Sequence, residues 1–111
     1  MFVDIEFISV LRPAPGIYRR TLEVFGRDGS DFRAWLYRYT RSDEPSPCAF
    51  DLVVRAATGS LFVRDYERKP DGMWRDSDGF VSESFAALLP AEVQTLELDH
   101  TTELDPIEVL V

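Results

Sequence analysis

The chain has 111 residues, 45% hydrophobic, 29% charged and 13% aromatic, with a formal net charge of −8. That is enough for one folded domain, residues 1–111, too little for two, and unlike the composition of a disordered chain. No apolar run approaches the roughly 20 residues that cross a bilayer, and MFVDIEFISVL lacks a basic leader or a small-residue cleavage site, so neither a membrane span nor a signal peptide is expected.

In chain order, residues 2–12 alternate Val3, Ile5 and Phe7 with Asp4 and Glu6, the period of a half-buried strand, which Pro13-Ala14-Pro15-Gly16 ends. Residues 17–25 form a second strand, and Arg27-Asp28-Gly29-Ser30 a hairpin turn, since Asp-Gly tolerates positive φ. The third strand, 31–41, is rich in aromatics. The polar, twice proline-broken 42–47 is a loop, and 49–57 and 61–69 form a second hairpin around Thr58-Gly59-Ser60. In 70–80, PDGMWRDSDGF, Asp71-Gly72 and Asp78-Gly79 mark two turns. Val81, Phe85, Leu88 and Leu89 fall at helical spacing, with Ser82 as N-cap and Pro90 as stop, predicting a short helix over 82–89. Residues 93–99 and 106–111 return to strand, the latter placed in the sheet or offered to another chain. About seven strands on short connections predict a mainly β fold: an antiparallel meander forming a small barrel or sandwich, with one short helix in the C-terminal half.

Few residues suit chemistry. His100 is the only histidine and Cys48 the only cysteine, so no internal disulfide forms and a cytoplasmic protein is expected. Neither sits in a nucleophile motif: Cys48 reads as an inert thiol near a strand start, and His100 as a partly exposed residue at a strand end. A Cys/His zinc set cannot be assembled from one of each, and aligning Gly79 with the glycine of a calcium loop puts Trp74 and Phe85 where ligands belong. A looser oxygen set of Asp71, Asp76 and Asp78 yields to the turn reading. No phosphate-cradling glycine loop is present. The expectation is a protein with no metal, no cofactor and no catalytic residue.

Strand 31–41 places Arg33, Trp35, Tyr37, Tyr39 and Arg41 on one face. Such a face can stack bases, but a charge of −8 opposes phosphate binding, so nucleic acid is not the expected partner. The aromatics read first as core with arginine ends reaching water, and second as a ligand cavity lined by Trp35, Tyr37 and Tyr39. Charge is uneven: residues 1–41 balance at +2 and 42–111 at −10, and from Asp76 to Val111 there are nine acids and no Lys or Arg. Eleven of twelve basic residues are arginine, which suits a GC-rich bacterial genome.

An acidic surface meets basic partners quickly. The preferred expectation is a non-catalytic inhibitor, of the immunity-protein or antitoxin class by analogy alone, occluding a basic protein through Asp76, Asp78, Glu97, Asp99 and Asp105, with Trp74 and Tyr39 as aromatic anchors. The alternatives are a small-ligand-binding barrel, with or without enzymatic activity, and a subunit of a homo-oligomer paired through its C-terminal strand.

Overall fold

The two central strands of this protein bury both of their faces. In the structure, a computed structural model that describes residues 15–27 and 29–110, β1 (Gly16–Phe25), β2 (Arg33–Arg41), β3 (Ala49–Arg55), β4 (Leu61–Arg68), β5 (Trp74–Asp76), β6 (Val81–Ser82) and β7 (Leu98–Val109) form one antiparallel sheet. Their order is β6-β5-β4-β3-β2-β1-β7. Each of the first five strands pairs with the next, and β7 returns to pair with β1. The radius of gyration, 13.8 Å, is that of a single compact domain of about this length. The strand expected over 2–12 lies outside the described residues.

The alternation of β2 explains the double burial. Trp35, Tyr37 and Tyr39 point to one side, where they join Tyr18, Leu22, Val24 and Val53. Ala34 and Leu36 point to the other and join Phe50, Leu52, Val54 and Tyr66. The arginines of this region shield ring faces: Arg38 lies 5.5 Å over Phe50, Arg41 5.6 Å over Tyr18 and Arg55 5.8 Å over Trp35, distances at which a guanidinium is attracted to a ring.

The C-terminal third differs from its predicted elements. In place of a helix over 82–89 there is a 3₁₀ turn, Phe85–Leu88, then a one-turn helix α1, Ala91–Gln94. Ser82 does not cap a helix; its Oγ accepts from the Ser84 amide at 3.1 Å in a local turn. Phe85, Leu88 and Leu89 still pack on the core with Val93 of α1, which had been expected in a strand. The strands expected over 93–99 and 106–111 are replaced by the single β7. Its polar middle, His100 to Pro106, stays in the ladder because an edge strand can expose its polar side chains. Pro106 falls at a register shift opposite Arg19, where a residue lacking an amide hydrogen is tolerated.

Phe85 fastens this cover. Its ring stacks on Phe50 at 3.8 Å and meets Tyr66 at 5.2 Å and Trp74 at 5.6 Å. Phe85→Ala is expected to cost about 2 kcal/mol, below the usual range for a fully buried Phe because this ring is half-buried. Denaturant unfolding measures that loss, and amide exchange is expected to quicken over 85–94.

Candidate functional site

The segment PDGMWRDSDGF folds as two turns. Asp71 Oδ1 accepts from the Met73 amide at 2.9 Å. Asp76 Oδ1 accepts from the amides of Asp78 and Phe80 at 2.9 and 3.0 Å. Gly79 takes a φ of 91°, which suits glycine alone among common residues. Asp76 is buried and its carboxylate holds the turn, while Asp78 pairs with Arg64 at 3.1 Å. Among the described residues, no group of three or more His, Cys, Asp or Glu side chains is placed to hold a metal ion.

The residues expected to form one acidic contact surface divide between two places. Trp74, Asp76 and Asp78 lie on β5 and the turn after it; Glu97, Asp99 and Asp105 lie before and along β7, at the other end of the strand order. Tyr39 is 1% exposed, so its side chain is not available at the surface. Trp74 is half-buried, tilted against Phe50 at 5.3 Å. Tyr37 and Tyr39 fill the sheet core, and of the aromatic trio only Trp35 lines a cleft.

Cys48 Sγ donates toward the Tyr39 carbonyl at 3.6 Å, and burial raises its pKa, which disfavours the thiolate. His100 is exposed near the start of β7, its Nδ1 3.2 Å from Asp99 Oδ2, and the same carboxylate oxygen accepts from Arg33 at 2.9 Å.

Two features remain as candidate sites. The first is the edge made by β7. It pairs only with β1 among the described residues, and none of its twelve residues is buried. Leu104, Ile107 and Val109 lean on the core, leaving Glu103, Asp105 and Glu108 outward with no ion pair among the described residues. Glu108 stands opposite Ile17, which is 53% exposed, and Leu110, just beyond, is 76% exposed. Composition marked the acids of this edge, but Ile17 becomes a neighbour of Glu108 only through the β1–β7 register. The second is a cleft of 630 Å³ at the end of the sheet where the β1–β2 turn, the β3–β4 turn and the start of β7 meet, lined among others by Asp31, Arg33, Trp35, Arg55 and His100. Its residues come from four distant stretches, and no local motif signals them.

A carboxyl pair invites a catalytic reading and does not support one. Asp51 and Asp65 are directly opposed on β3 and β4, 2% and 4% exposed. Burial, then the hydrogen bond and charge of Asp65, push Asp51 up to about 8, while Tyr39 donates toward it. Neither carboxyl lines the cleft. Asp51 therefore favours its protonated form, facing Asp65 across the two strands.

An unfolded Asp titrates near about 3.9. The folded protein therefore binds more protons than the unfolded chain from about pH 4 to the raised value near 8. The stability this site contributes is full below about pH 4 and is lost as pH rises through 8. Asp51→Asn keeps a donor toward Asp65 without the charge. It is expected to melt about 5 °C or more above the wild type at pH 9 and close to it at pH 5, as thermal scans at both pH values would measure.

Comparison of the chain with protein-family models, with curated proteins and with solved structures gives no match in any of the three.

Proposed function

We propose that this protein acts by binding, and that it meets a basic protein partner along β7. The observation that carries this reading is the exposed edge itself, with Glu103, Asp105 and Glu108 outward and without an ion pair among the described residues. Twelve residues of strand run about 40 Å at the usual rise, a length that suits an interface of ordinary size. Ile17 and Leu110 add exposed apolar surface next to Glu108, an arrangement in which acids steer the encounter and apolar groups slow dissociation.

The charge of the edge also selects the kind of partner. A second copy paired strand to strand would set acids against acids, which discourages self-association. A basic surface meets no such penalty. The form of function that fits is an inhibitor which covers a basic protein, as immunity proteins and antitoxins do, inside a cytoplasm where a lone thiol stays reduced.

The test is a pull-down with the tagged protein, eluted across a salt gradient, followed by affinity measurements on the basic protein recovered. Glu103→Lys with Glu108→Lys is expected to weaken binding at least tenfold and to flatten its salt dependence. Glu83→Lys with Glu92→Lys, the same charge change off the edge, is expected to leave affinity unaltered. Equal affinity for wild type and the edge variant would overturn the reading.

A further inference from the structure

We infer that the cleft at the β1–β2 and β3–β4 turns binds the carboxylate of a small organic acid, with Arg55 as its principal contact. The argument begins with charge. Six arginines among the described residues, Arg33, Arg38, Arg41, Arg64, Arg68 and Arg75, have a carboxylate within ion-pair distance. Arg19, Arg20, Arg27 and Arg55 have none among the described residues, and of these four Arg55 alone lines the cleft, where it is half-buried. One of its terminal nitrogens donates to the Ser30 carbonyl at 2.8 Å, and its guanidinium lies over the Trp35 ring. A cation removed from water in this way gains most from an anion, and the planar guanidinium fork matches a carboxylate.

The rest of the cleft sets the ligand's size and charge. Its volume, 630 Å³, falls within the range of about 300–1,000 Å³ typical of small-molecule sites. Val24, Trp35 and the alanines at 56 and 57 give it apolar wall. The Arg33 charge is already met by Asp99, which also holds the His100 ring. Asp31 adds a negative charge at the lining. Among the described lining side chains Arg55 is the one arginine without an ion pair, and because Asp31 opposes further negative charge, a monoanion fits better than a dianion such as a phosphate monoester. The site lies apart from Glu103 and Glu108, so it does not depend on the β7 reading.

Titration of the ¹⁵N-labelled protein with acetate, benzoate and indole-3-acetate, followed by NMR, tests this. At least one of the three is expected to give saturable shifts at Gly29, Gly59, His100 and the Trp35 indole N–H below about 20 mM, whereas benzamide, which lacks the charge, gives none. Arg55→Gln is expected to weaken that binding at least tenfold and Arg55→Lys by less, while Arg19→Gln, at an exposed site off the cleft, binds as wild type does. The spectra report folding of each variant. No saturable shift from any of the three acids, equal shifts from benzamide, or a folded Arg55→Gln that binds as tightly as wild type would overturn the inference.

Discussion

Burial of β2 and β3 on both faces is the constraint from which the rest follows. A strand packed on one side only can present its other side to a ligand; here both sides of Trp35–Tyr39 and of Phe50–Val54 are buried apart from the half-exposed Arg38. The polar ends of the aromatic side chains must then find partners inside the protein. The Tyr39 hydroxyl faces Asp51, and the Tyr66 hydroxyl donates to the Leu88 carbonyl at 3.3 Å. Burial also raises the Tyr66 phenol to about 12, so it remains a donor throughout the physiological range. Interaction with anything outside is left to the ends of the strands and the edges of the sheet.

Those two regions differ in chemistry. At the cleft, where strands end and turns meet, arginines stand against aromatic and small apolar side chains, in a protein whose total charge is strongly negative. Along β7 the balance reverses, with acids alone on an edge that nothing among the described residues covers. Local potential rather than net charge governs what each can hold. The −8 of the whole chain is informative about the edge and misleading about the cleft.

The same contrast explains what could be read from the amino acids. Period-two alternation placed β1 to β4 nearly to the residue, because half-buried and fully buried strands carry strong apolar signals. Asp-Gly and Asp-x-Asp-Gly announced the turns around β5, since the side chain and the glycine do the work locally. The spacing of Phe85, Leu88 and Leu89 predicts a helix over 82–89, but that spacing is shared by a 3₁₀ turn and its exit, and Ser82 has a nearer amide to accept from. β7 was cut in two because Thr101, Thr102, Glu103 and Asp105 look like loop residues, whereas an edge strand needs apolar side chains on one face only. Site residues were least legible. Asp76 and Tyr39 carry the right chemistry for a contact surface but are spent on a turn and on the core. Arg33, Arg55 and His100 are far apart in sequence and converge only through strand order.

A protein closed in its middle and open at an acidic edge should be read by its partner at that edge. The most direct measurement is backbone NMR of the labelled protein with and without the basic partner proposed for it, mapping the amides whose signals shift or broaden. Changes concentrated between Leu98 and Leu110 and at Ile17 are expected. Changes centred on the turns around Asp71 and Gly79, or on Gly29, Gly59 and the rest of the cleft, would contradict it.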